Sequence, residues 1–190
     1  MNLQFLRHYL SAPSLVGAVV PSSVHLALAM CRHTQGARHI IELGAGTGAI
    51  TQHLRASFPN VPTVVVEREE EQAAALETRF GRCKVVAKCL HEVPELLEDV
   101  PAETVIVSSL PFLSLPKDVA EPTIAMIEAF LREDPRRKLV QFTYGFGCPF
   151  QAGASLQWKR RQLVVRNVPP AWIWTLQSTQ SAVPATAANT

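Results

Sequence analysis

From His39 to Gly48 the chain reads His-Ile-Ile-Glu-Leu-Gly-Ala-Gly-Thr-Gly, an apolar run that ends in an acid and then gives three glycines at alternate positions. Ala49 to Leu54 reads as the opening turns of a helix. A strand, a glycine turn and a helix start in succession let a nucleotide-like ligand lie directly against backbone. The spacing is G-x-G-x-G rather than the G-x-G-x-x-G of dinucleotide sites, so a pyrophosphate on the helix N-terminus is not the obvious ligand. A second acid, Glu67, closes the β-branched run that starts at Pro62. It falls about twenty residues beyond the turn, where such folds place a carboxylate that accepts from ribose hydroxyls. A glycine loop alone is equally well a structural turn. Loop, strand, helix and second acid together point to a nucleoside-type cofactor. Glu42, Gly44, Ala45, Gly46, Thr47, Gly48 and Glu67 fit S-adenosylmethionine, with Arg68 beside them.

Methyl transfer from a sulfonium needs in-line alignment more than powerful acid–base groups. An amine acceptor must arrive neutral, so a proton acceptor or a water path helps. Ser108-Ser109-Leu110-Pro111-Phe112 follows the fourth expected strand. Carbonyls of the Leu110 loop would accept from amine hydrogens, and the Phe112 ring would favour the developing cation. The plain alternative is a strand-to-helix turn with Phe112 in the core. Tyr144, in Gln141-Phe142-Thr143-Tyr144-Gly145, is the nearest polar group for the amine, or else a core tyrosine. Cys89, Leu90 and His91 follow the third strand as lining of the adenine pocket, and Ser108 joins the cofactor side.

The elements that must position these groups follow from periodicity and breakers. Strands are expected over 38–43, 63–67, 84–88, 104–108 and 138–144, then a pair over 161–168 and 172–176 around Pro169-Pro170. Helices are expected over 24–32, capped by Ser22 or Ser23, and over 48–57, 68–80 and 117–132. An amphipathic helix over 2–11 ends before Pro13. The result is an α/β fold, a mostly parallel seven-stranded sheet with an antiparallel edge hairpin. Residues 1–35 are expected as N-terminal helices, 36–177 as the core and 178–190 as a disordered tail.

The chain has 190 residues, 47% hydrophobic and 18% charged, which suits one domain. A net charge of +2 does not advertise a nucleic-acid partner. No apolar run approaches the ~20 residues of a membrane span, and Arg7 and His8 interrupt any signal-like stretch. Four cysteines without a C-x-x-C pair predict neither a zinc site nor a disulfide framework, and a cytosolic setting. Lys159, Arg160, Arg161 and Arg166, with Trp158, Trp172 and Trp174 nearby, would suit an anionic lipid surface or RNA phosphates, or form a solvated hairpin closing the sheet.

Several segments in order resemble the bacterial phospholipid N-methyltransferases of the soluble, membrane-associating type. They are Phe5-Leu6, Val16 to Ser23 (Val-Gly-Ala-Val-Val-Pro-Ser-Ser), Glu42 to Gly48, Ser109 to Phe112, Gln141 to Gly145 and Arg166 to Ala171 (Arg-Asn-Val-Pro-Pro-Ala). The family is itself similar to ribosomal RNA adenine dimethylases, whose corresponding loop reads Asn-Leu-Pro-Tyr. The resemblance implies a class I methyltransferase, a Rossmann-like three-layer sandwich. It also implies transfer to phosphatidylethanolamine on the way to phosphatidylcholine, contact of the first helix with the inner face of the membrane, and cofactor contacts from Ser22 and Ser23. Two departures stand out. The family usually carries an acid after the third strand, whereas Ala87-Lys88-Cys89-Leu90-His91 reaches none before Glu92, and the stretch from Phe150 to Arg161 is short. Two other readings are an RNA adenine methyltransferase, disfavoured by the charge and by Ser109 in place of asparagine, and a cofactor-binding module without catalysis.

Overall fold

The computed structural model describes residues 23–180, so the expected helix over 2–11, Ser22 and the tail beyond Gln180 lie outside the described residues. The strands are β1 (His39–Leu43), β2 (Thr63–Val66), β3 (Lys84–Val86), β4 (Thr104–Ser108), β5 (Lys138–Thr143), β6 (Leu156–Val164) and β7 (Ala171–Ser178). They form one sheet in the order β3-β2-β1-β4-β5-β7-β6. The five strands from β3 to β5 are parallel; β7 runs antiparallel to both β5 and β6.

Both faces of the central strands are covered, which is why they read as unbroken apolar runs. Ile40, Val105, Val140 and Ile173 pack with Leu26 and Met30 of α1 (Val24–His33) and Leu54 of α2 (Thr51–Ser57). Ile41, Ile106, Leu139 and Leu176 pack with Ile127, Phe130 and Leu131 of α4 (Lys117–Glu133). A smaller cluster joins Leu76 of α3 (Glu70–Arg79) to Val65, Cys83 and Ala45 of the glycine loop. Ser23 caps α1: its Oγ accepts from the Leu26 amide at 3.2 Å, while its own N–H donates to Asn167 Oδ1 at 3.0 Å. That second bond ties the start of α1 to the β6–β7 turn, and α1 shares its core with β1, β4, β5 and β7.

The expected architecture is present, and the elements differ mainly at the hairpin. β6 starts five residues before the expected Arg161 and ends at Val164, because residues 165–170 form the turn into β7. The basic run hides the strand: the register shifts between Arg160 and Gln162, Arg160 stacks over Trp172 and Trp174, and Arg161 donates to Thr175 Oγ1. The stretch after Phe150 is therefore mostly strand. β7 continues to Ser178, and the Thr179 amide donates to Ser155 O at 2.8 Å, so pairing passes the expected boundary at 177. Two 3-10 turns, Leu90–Glu92 and Pro94–Leu97, fill the β3–β4 connection, too short to show a helical period. Among the described residues no helix is long and apolar enough to cross a membrane, and no group of three His, Cys, Asp or Glu side chains could hold a metal.

Candidate active site

The sheet order reverses between β1 and β4, and ligands of such sheets bind at the carboxyl ends of the strands near that point. Two loops meet there. The Ser109 amide donates to Leu43 O at 2.9 Å, which lays the Leu110 loop on the start of the glycine loop. Gly44 has φ +70°, and a Cβ there would stand 2.7 Å from Leu110 Cδ2, so the approach requires glycine. Gly48 is filled from the other side, where a Cβ would meet Phe80 and Leu76. Gly46 is different: at φ +54° it has nothing nearer than Gln72 Oε1, 3.6 Å from its ideal Cβ position. The loop is thus packed at both ends and bare in the middle, a cradle for a ligand.

The two acids serve the cradle differently. Glu67 Oε2 accepts from the Gly46 amide at 2.8 Å, and Oε1 accepts from the Glu69 amide at 3.1 Å. Its carboxylate thereby joins the loops after β1 and β2, with acceptor capacity left on each oxygen. Glu42 is fully buried, and among the described residues neither of its oxygens has a hydrogen-bond partner. Burial pushes its carboxyl up to about 8; the Thr51 hydroxyl and amide offset this in part, without reaching hydrogen-bond geometry, and Glu67 adds to it. An unsatisfied buried carboxyl is costly unless a partner arrives. A cofactor carrying both an ammonium group and ribose hydroxyls matches these two acids and the bare Gly46 backbone.

On the acceptor side, Leu110 and Phe112 lie in a tight turn, with the Leu110 amide donating to Ser108 Oγ at 3.2 Å and the Phe112 amide to Leu110 O at 3.0 Å. Phe112 is buried edge-on against Phe150, with ring centroids 5.1 Å apart. Tyr144 is half-buried against Phe142 just beyond β5. Ser108 is buried and spends its oxygen on the loop. Thr47, at the exposed tip of the glycine loop, accepts from Arg79 through its carbonyl.

Other expected contacts are engaged within the fold. Arg68 is exposed and paired with Glu69. The Leu90 side chain is in the core. The Cys89 amide donates to Glu92 Oε2 at 2.7 Å, so the first acid after β3 closes its own turn. His91 Nδ1 lies 3.1 Å from Thr123 Oγ1. Trp158 and Trp174 are held by indole N–H bonds to Phe150 O and Thr143 Oγ1, which makes them part of the sheet's packing.

One residue of the site carried no expected role. Gln141 is 2% exposed, and its Nε2 donates to both Leu110 O and Phe142 O at 3.0 Å. The available signal was a lone amide within the apolar run Leu139 to Phe142, opposite Ser108 in register.

No known protein-family model matches the chain. It is 28% identical over 135 residues to an ornithine lipid N-methyltransferase of Singulisphaera acidiphila, a match covering 67% of this chain and 70% of that protein. A protein of Halobacterium salinarum described as "probable ribosomal RNA small subunit methyltransferase A" is 40% identical over 76 residues, 39% of this chain and 26% of the relative. Among solved structures, the S-adenosylhomocysteine-bound methyltransferase PaMTH1 of Podospora anserina superposes with a TM-score of 0.60 at 11% identity, covering 95% of this chain and 89% of that one. The sheet order is that of the class I methyltransferase fold; with these similarities the chain is an S-adenosylmethionine-dependent methyltransferase, and S-adenosylmethionine is the cofactor that the cradle fits.

Proposed function

We propose that the chain methylates the amine headgroup of a membrane lipid, phosphatidylethanolamine towards phosphatidylcholine, at the inner face of the membrane. The similarity to the ornithine lipid enzyme carries this reading, because it spans two thirds of both proteins. Two exposed apolar side chains on the loops above the site support it, Leu113 at 67% and Phe146 at 82% exposure. They follow β4 and β5, beside the acceptor loop, where an acyl-chain boundary rather than a polar solute would meet them.

S-adenosylmethionine supplies an electrophilic methyl group on a sulfonium sulfur. Glu67 would hold the ribose hydroxyls, Glu42 would face the positive methionine end, and the Gly44–Gly48 backbone would lie along the ligand. Tyr144 would orient the amine, since both lone pairs of the Leu110 carbonyl are already taken by the Phe112 amide and Gln141 Nε2. Neutral acceptors suit this task, since a carboxylate beside the amine would hold it as ammonium and block its lone pair. The segment over 2–11, expected from the sequence as an amphipathic helix and outside the described residues, would add membrane contact. Deleting residues 1–10 should lower sedimentation with anionic vesicles, and equal sedimentation would remove that anchor.

The test is transfer of labelled methyl groups to vesicles containing phosphatidylethanolamine, to vesicles containing ornithine lipid, and to structured RNA in parallel. Label in the phosphatidylethanolamine arm supports the reading. Label confined to ornithine lipid changes the headgroup, and label confined to RNA replaces the lipid with the adenine-methylating reading that the 76-residue similarity favours. Cofactor binding without label in any arm would favour a module that binds without transferring.

A further inference from the structure

Gln141 is the acid-free counterpart of Glu42 on the acceptor side: both are buried and both leave a side-chain oxygen without a partner among the described residues. In most structures the two ends of a buried glutamine amide are hard to tell apart, and the hydrogen-bond network decides. Here the decision is unambiguous. One end of the amide lies 3.0 Å from two carbonyl oxygens, Leu110 O and Phe142 O, and only an NH2 group can sit between two acceptors. The other end must therefore be Oε1, an acceptor, and among the described residues it has no donor.

The surroundings say what the donor would be. Gln141 stands opposite Ser108 at the carboxyl end of the sheet. The carbonyl it grips belongs to Leu110, whose side chain presses on Gly44 at the entrance to the cofactor cradle. The orphan oxygen shares a carbon with the gripping nitrogen, so it stays beside that same carbonyl. An unsatisfied buried acceptor carries a cost that a ligand donor removes.

We infer that Gln141 is an amine-binding residue: its Nε2 fixes the Leu110 carbonyl, and its Oε1 accepts a hydrogen from the amine presented for methylation. This rests on the proposed amine-methylating function. The neutral amide takes an N–H without trapping the proton, and its dipole still favours the cation that methylation produces.

Sinefungin tests this without any lipid, because it carries an ammonium group where the cofactor carries its transferable methyl. Binding of sinefungin and of S-adenosylhomocysteine to wild type, Gln141→Met and Gln141→Glu is measured by calorimetry, with thermal melting as the check on folding. Gln141→Met should lose about tenfold in sinefungin affinity with S-adenosylhomocysteine unchanged. Gln141→Glu, whose protonated form still donates to a carbonyl and still offers an acceptor, should retain sinefungin binding. Equal loss of both ligands, or loss of neither, in a folded Gln141→Met protein would overturn the assignment. Failure of wild type to label any lipid would instead count against the proposed substrate and leave the sinefungin result to decide on Gln141.

Discussion

The two halves of the carboxyl edge are built from different chemistry. From β1 to β3 the polar groups are acids, Glu42 and Glu67, set around a bare glycine. From β4 to β7 they are neutral: the Ser108 hydroxyl, the Leu110 carbonyl and the Gln141 amide. Among the described residues each half keeps a buried acceptor without a donor. Folding alone does not favour that arrangement, since an unpaired buried oxygen costs about 1–3 kcal/mol, more when charged. On the proposed amine methylation, the difference in charge follows from what each half would do. A permanent cation is held best by carboxylates, whereas a nucleophilic amine must be oriented without being held as its conjugate acid.

The largest expected effect is on the acid half. Glu67→Ala removes the acceptor of the Gly46 amide along with the expected ribose contact, and cofactor affinity should fall about a hundredfold by calorimetry, two charge-assisted hydrogen bonds being at stake. Unchanged affinity would break the assignment of that half.

Glu42→Gln should weaken cofactor binding about tenfold and also change the pH dependence of stability. The folded protein holds the Glu42 proton up to about pH 8, while the unfolded chain releases it near 4.5. Stability from this group is therefore fully present below pH 4.5 and is lost progressively up to about pH 8. Glu42→Gln removes that slope, so its melting temperature relative to wild type should rise across the interval in the absence of cofactor. Binding of a cationic cofactor should ionise Glu42 and release a proton at neutral pH, read as a buffer-dependent binding enthalpy. A pH-independent difference between the two proteins would show that Glu42 is not protonated in the free fold.

The smallest effect belongs to the neutral half's rim. Phe146→Ser should leave stability within about 0.5 kcal/mol, as for most exposed positions, and reduce vesicle-bound protein about fivefold. Equal partitioning would detach the apolar rim from the lipid reading.

The acid half was legible in the sequence because its signals are local. Alternate glycines after an apolar run mark a turn that only glycine makes, and Glu67 is recognised by its distance from that turn. Most strand ends fell within two residues of expectation for the same reason: β-branched runs and proline or glycine breakers act over a few residues. The hairpin did not, since a bulge inside Lys159-Arg160-Arg161 erases the alternation by which an edge strand is read.

What the sequence determined alone, then, is the α/β alternation, the glycine cradle and the pair of acids, all encoded over short stretches of backbone preference. Only the tertiary structure decided that Glu67 is engaged and Glu42 is not, that Phe112 packs on Phe150, and that Gln141 grips Leu110 from 31 residues away. Those outcomes depend on which groups the sheet brings into contact and on what water it excludes. Neither is written in the spacing of residues along the chain.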